Sequence, residues 1–191
     1  MALGYKYSWS DMINLIESWK DIARENSGEF KVVNVHSFAN NDDPFLRRFE
    51  ITIPFLDGQI FIITTEFKPL KICYTFNKVI ADEFLIYEED YADKIGKLFG
   101  ATDIETGDVD FDKKFMIKCD DDGLLKKVLT FDLKKFLLEN YVANFKLENA
   151  NESSTLELNV AIIELDKTKM NDVIRLFKES VEIINDLKSF S

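Results

Sequence analysis

Residues 49–67 constrain this chain more than any other segment. Phe49, Ile51, Ile53 and Phe55 alternate with Glu50, Thr52, Pro54 and Leu56; Asp57-Gly58 follows, and the run 59–67 alternates again. A side-chain period of two belongs to a strand with one buried face. Asp-Gly between two such runs signals a hairpin closed by a type I′ turn, with both central residues at positive φ. A two-residue turn there sets Phe55 opposite Ile60 and Ile53 opposite Ile62. Pro54 has no N–H to give, so its nitrogen belongs at an edge or a bulge.

The rest of the chain is read against this hairpin. Ser8 or Ser10 caps a first helix in which Met12, Leu15, Ile16, Trp19, Ile22 and Ala23 recur at helical spacing, and Gly28 suits the left-handed residue after it. A strand over 30–38 and a loop over 40–44 precede the hairpin. Pro69 breaks its second strand, after which Leu70, Ile72, Tyr74 and Phe76 alternate as a third meander strand and 84–87 as a short fourth. Tyr91, Ile95, Leu98 and Phe99 predict a helix ended by Gly100. Phe111, Lys113, Phe115, Ile117 and Cys119 predict one side of a strand. A short helix over 124–129 and a Thr130-capped helix with the stripe Leu133, Phe136, Leu137, Asn140 and Tyr141 come next. Runs 143–147 and 155–165 read as two strands joined across 148–154. Met170, Val173, Ile174, Phe177, Val181, Ile184 and Leu187 mark a last, long helix over 169–188, wide enough in its apolar stripe to cover a sheet.

Short turns between strands and helices in separate blocks give an α+β class: an antiparallel meander sheet, flanking helices, and a long C-terminal helix packed on the sheet. The 191 residues hold 17 Phe but only 3 Pro and 7 Gly, so the reading is one domain over 1–191, with apolar mass for a core and little linker. Residues 1–10 lack the pattern of a signal peptide, and no run reaches the ~18 apolar residues of a membrane span. Cys73 and Cys119 read as two buried thiols of a reducing, cytoplasmic compartment rather than as a disulfide.

Charge is uneven. Residues 82–122 carry 14 acids against 5 lysines, net −9, while the remainder is close to balanced within a total of −11. Such a surface repels nucleic-acid phosphates and anionic membranes, and it suits a protein partner or plain solvation.

Catalytic residue types are sparse. His36 is the sole histidine, which rules out a His-pair metal site; within its strand it reads as structural. A reactive thiolate needs a neighbouring cation or a helix N-terminus, whereas Cys73 and Cys119 lie within strand patterns and Cys119 continues the Phe115–Ile117 face, which reads as buried and inert. Asp108, Asp110 and Asp112 alternate like the ligands of a hard cation. A calcium loop counted from Asp108 then needs Gly at 113 and an acid at 119, where Lys113 and Cys119 stand. Asp120-Asp121-Asp122-Gly123 reads as a turn and helix start. Lys126, Lys127, Lys134 and Lys135 form a basic patch without the aromatic interleaving of a nucleic-acid groove. No catalytic, cofactor or metal residue is assigned, and no cofactor is implied.

Thr106-Gly107-Asp108, then 111–118 (Phe-Asp-Lys-Lys-Phe-Met-Ile-Lys), Leu124-Leu125 and Leu129-Thr130 resemble a pattern of uncharacterised bacterial proteins, the family called domain of unknown function 3137, over about residues 103–141. The resemblance implies a bacterial intracellular protein and no particular activity. The leading functional reading is a non-catalytic protein-binding or scaffolding module, acting through its acidic region 82–122 or an exposed sheet edge. The alternatives are a helix-grip protein holding a small apolar ligand between sheet and last helix, and a hydrolase using Asp108, Asp110 or Asp112 with a divalent ion.

Overall fold

A computed structural model describes residues 9–36, 45–65, 68–88, 102–119, 122–160 and 167–186. Its elements in chain order are α1 (Trp9–Glu25), β1 (Glu29–His36), β2 (Phe45–Phe55), β3 (Gly58–Thr65), β4 (Lys68–Phe76), β5 (Phe84–Glu88) and β6 (Thr102–Asp103). There follow α2 (Val109–Lys114), β7 (Phe115–Cys119), α3 (Asp122–Val128), α4 (Phe131–Glu139), β8 (Val142–Ala150), β9 (Ser153–Val160) and α5 (Lys167–Asp186). The described strands form one nine-stranded sheet in the order β1-β2-β3-β4-β9-β8-β5-β7-β6. Every neighbouring pair is antiparallel. This is the α+β class that the sequence predicts, with the long C-terminal helix lying on the sheet.

Period-two patterning becomes a core through register. One row of side chains runs Ile53, Ile60, Tyr74, Leu156, Leu147, Phe84 and Cys119 across seven strands. The next runs Ile51, Ile62, Ile72, Leu158, Phe145, Ile86 and Ile117. All are buried, and they share one core with Trp19 and Ile22 of α1, Phe111 of α2, Leu125 of α3, Leu137 of α4 and the Met170–Ile184 stripe of α5. A one-residue slip in any ladder would turn that strand's row outward, so burial fixes the register.

The meander covers β1–β4 only. From Phe76 the chain passes the end of the β8–β9 hairpin and enters β5 beyond it. A polar knot holds this crossing. Ile80 N donates to Ser154 Oγ at 2.6 Å, Ser154 Oγ donates to Asn149 Oδ1, and Asn149 Nδ2 returns to Ile80 O at 2.9 Å. Ser154 is wholly buried, so its hydroxyl needs these partners.

Several expectations need correction. The hairpin loop is Leu56-Asp57, with Phe55 opposite Gly58, Ile53 opposite Ile60 and Ile51 opposite Ile62. The register thus moves by two residues and keeps the same face inward. Of the loop residues only Leu56 takes positive φ, at 49°. Asp57-Gly58 serves the next strand instead: Tyr74 OH donates to Asp57 at 2.8 Å, and a Cβ on Gly58 would sit 3.0 Å from that hydroxyl oxygen. Gly28 is not the left-handed residue after α1. Ser27 is, at φ 55°, inside a Schellman cap in which Gly28 N reaches Ala23 O at 2.7 Å and Ser27 N reaches Arg24 O at 3.1 Å. Gly28 is needed for another reason: a Cβ there would lie 2.5 Å from Thr52 O in β2.

Residues 109–114 are helical, not part of a strand. Asp108 caps α2, accepting from Phe111 N at 3.3 Å, with acids in the first turn and Lys113 and Lys114 in the last. The Phe111 and Phe115 rings pack with centroids 4.8 Å apart, tilted by 36°, across the helix–strand junction. Pro69 lies inside β4, beside a register shift at Ile63/Thr65. Pro54 sits past the end of the β1 ladder, which stops at Thr52. Tyr141 is exposed rather than part of the α4 stripe. Thr130 does cap α4, accepting from Leu133 N at 3.3 Å. The expected loop 40–44 and helix over 90–100 fall outside the described residues. No described helix is long and apolar enough to cross a membrane.

Gly28→Ala is expected to destabilise the fold by about 1–3 kcal/mol, because α1 or β2 must shift to admit the methyl. Urea unfolding that leaves the midpoint unchanged would refute this contact.

Candidate functional site

The acidic stretch resolves into separate structural duties. Asp112 accepts from Thr106 N at 2.9 Å, Thr106 Oγ1 at 2.7 Å and Gly107 N at 3.0 Å. Partial burial opposes its charge, but those donors and the Lys134 cation outweigh it and hold the carboxyl below its usual range. Asp108 is spent on the α2 cap and Asp110 is exposed. The three aspartates therefore do not converge, and among the described residues no group of three His, Cys, Asp or Glu is placed to hold a metal. Glu83 accepts from Asn149 N at 2.5 Å, and buried Glu88 accepts from Val142 N at 3.2 Å. Four acids of the 82–122 stretch thus bind backbone N–H groups instead of facing a partner.

Lys114, which falls on the other side of the strand predicted through Phe111 and Cys119, is a residue that the sequence pattern does not single out. The α2 turn points this side chain at the end of α4, where Nζ donates to Leu137 O (3.1 Å), Leu138 O (2.8 Å) and Asn140 O (2.8 Å). Glu88 lies 3.4 Å away. A helix C-terminus presents unpaired carbonyls and partial negative charge, and a lysine ammonium brings three donors. The signal available in the sequence was the Asp-x-x-x-Asp-Lys-Lys pattern, which fits a capped helical turn as well as a strand.

His36 is the last residue of β1, opposite Phe45. Cys119 is buried on β7, and Cys73 is half-buried on the opposite face of the sheet, on β4. Burial pushes the Cys73 thiol up, only partly offset by Lys71, which disfavours the thiolate. Three strands lie between β4 and β7 and two between β1 and β4. At about 4.8 Å per strand, neither a disulfide nor a Cys–His couple can form. In the basic patch, Lys126 pairs with Asp122 at 2.5 Å, Lys135 with Glu139 at 3.9 Å, and Lys134 lies over the Phe111 ring at 5.8 Å.

Among the described residues, two features are open to a partner. The first is β1, which forms one end of the sheet. A two-residue hairpin closes on a hydrogen-bonded pair, so Phe55 and Gly58 bond each other and Pro54 faces the β1 side. Alternation then turns Thr52, Glu50 and Arg48 toward Glu29, Lys31 and Val33. The amides of Phe30, Val32 and Asn34 are left directed off the sheet. Val32 is 42% exposed, and α1 packs over this strand with Trp19 and Phe30 rings 6.3 Å apart.

The second is a pocket of about 460 Å³ beside α5, lined by residues of α1, α5 and the hairpin tip. Lys178 Nζ lies 5.6 Å from the Phe55 ring centroid and donates to Asn26 Oδ1 at 2.8 Å. Burial pushes its ammonium below the ordinary lysine range, with Glu182 working the other way. This is not the apolar cavity of a helix grip. The sheet-facing stripe of α5 is itself buried in the common core, and the pocket opens at the helix flank among charged side chains.

An all-antiparallel sheet covered by helices, with no converging catalytic set among the described residues, defines an α+β scaffold. The fold is similar to the crystal structure of the mycobacterial trehalose monomycolate transport factor A, TtfA, at TM-score 0.55 and 8% identity, over 89% of this chain and 96% of that one. At that identity the likeness shows fold alone. No family model matches the sequence, and a search of curated proteins gives no match.

Replacing Lys114 by Met should cost about 1–3 kcal/mol, since carbonyls at the end of α4 and the Glu88 carboxylate lose their donor. Thermal melting that shows no loss would reject the capping role. Burial and then Asp57 push the Tyr74 phenol up to about 12. An unfolded tyrosine titrates near 10, so the stabilisation is complete below about pH 10 and vanishes as pH rises through the folded value. Tyr74→Phe should flatten that alkaline limb of the stability curve.

Proposed function

We propose that this chain is a non-catalytic protein-binding module that captures an extended segment along the free edge of β1. The observation that carries this reading is an eight-residue terminal strand with Val32 exposed and alternate amides directed outward. An edge of that length is a template for another strand, and main-chain bonds to it supply affinity while alternate side chains supply selectivity. The acidic stretch is a weaker basis for recognition, because Glu83, Glu88, Asp108 and Asp112 already serve the fold.

Proline distinguishes the two sets of amides. At Val32 it deletes an outward N–H and leaves the β2 ladder intact, whereas at Val33 it deletes a ladder bond. Val32→Pro should therefore fold as the parent does, and Val33→Pro should be clearly destabilised. Extended peptides selected from a display library on the parent should lose at least tenfold in affinity for Val32→Pro by calorimetry. Equal affinity for both proteins, or amides of Phe30, Val32 and Asn34 that stay unprotected from hydrogen exchange in the complex, would overturn the proposal.

A further inference from the structure

The pocket beside α5 has a composition that packing alone does not require. Phe55 contributes apolar surface, and Asn26 and Asn171 bring amides. Nearby cations already hold carboxylates: Lys167 pairs with Glu25 at 2.5 Å, Arg24 with Asp21 at 2.7 Å and Arg175 with Glu179 at 2.7 Å. Lys178 differs. Among the described residues no carboxylate comes within ion-pair reach of its Nζ, and the acceptor it uses is the neutral Asn26 amide. An ammonium has three donors, so this one keeps capacity for a ligand anion. Glu182 lies one helical turn further along α5 and lines the same pocket.

The lining residues Glu25, Arg175, Lys178, Glu179 and Glu182 carry three negative and two positive charges, and the whole chain is at −11. A simple anion is repelled by that surround, and a simple cation finds Lys178 and Arg175 in its way. A molecule carrying both charges meets each with its opposite. The volume, about 460 Å³, falls in the range of small-molecule sites, roughly 300–1,000 Å³.

We infer that this pocket binds a small zwitterion of the amino-acid type, its carboxylate on Lys178, its ammonium toward Glu182 and its body over Phe55. The site is separate from the β1 edge and does not depend on it.

The test uses the full chain titrated with leucine and with glutamine, followed by NMR at the Lys178 ε-methylene and by calorimetry. 4-Methylpentanoate and isoamylamine, leucine without its ammonium and without its carboxylate, serve as controls. At least one amino acid should bind saturably and raise the Lys178 pKa, because a carboxylate beside the ammonium favours its charged form. Each half-molecule should bind at least tenfold more weakly than leucine if leucine is the binder. Lys178→Met, which keeps the stem over Phe55, should abolish binding, and Glu182→Gln should weaken it about tenfold, with both variants shown by circular dichroism to be folded at the titration temperature. No saturable response to either amino acid up to about 10 mM, at the weak end of specific affinity, would overturn the inference. So would unchanged binding by Lys178→Met, or 4-methylpentanoate binding as tightly as leucine.

Discussion

The ladder between β4 and β9 makes one sheet out of two distant stretches of chain. Leu70 through Phe76 pair with Val160 through Ser154, so residues some 80 positions apart become neighbours at the centre of the molecule. Both core rows cross this seam, from Tyr74 to Leu156 and from Ile72 to Leu158. Without it the N-terminal meander and the C-terminal hairpin would each keep an open edge and a half-covered apolar face. Closing so long a loop costs entropy before any contact is gained, so the seam adds to the contact order that slows folding.

Polar groups that look available in the sequence are drawn into holding this arrangement. Ser154 and Asn149 pin the crossing from β4 to β5. Lys114 and Glu88 tie the end of α4 to β5 and to Val142, the first residue of β8. Asn26, Glu25, Lys167 and Asn171 join the cap of α1 to α5. These contacts are specific in direction, as apolar packing is not, and they set how the helices lie on the sheet. Among the described residues, what is left for partners is geometric: a strand edge at one end, and a flank of α5 where Lys178 faces an aromatic ring.

Where the sequence could be read, one face of an element was buried and its period showed. The strands of the meander, the Thr130 cap and the α5 stripe were legible for that reason. The segment 109–115 was not. Phe111, Phe115 and the intervening charges satisfy a helical turn and a strand alike, and the Asp108 cap with the Lys114 target on α4 settled the choice. Gly28 and Gly58 illustrate the same limit. Each glycine signals a backbone constraint, but the constraint is a close approach by Thr52 or Tyr74, which no local pattern contains.

The amino-acid order by itself determined the α+β class, the inward face of most strands and the helix that covers them, because hydrophobic periodicity acts over a few residues. Strand order, the placement of β5 beyond the β8–β9 hairpin, the duty of each acid and the pocket around Lys178 were decided by tertiary structure. Those features depend on which distant surfaces meet, and the free energy that selects them resides in contacts between segments rather than within them.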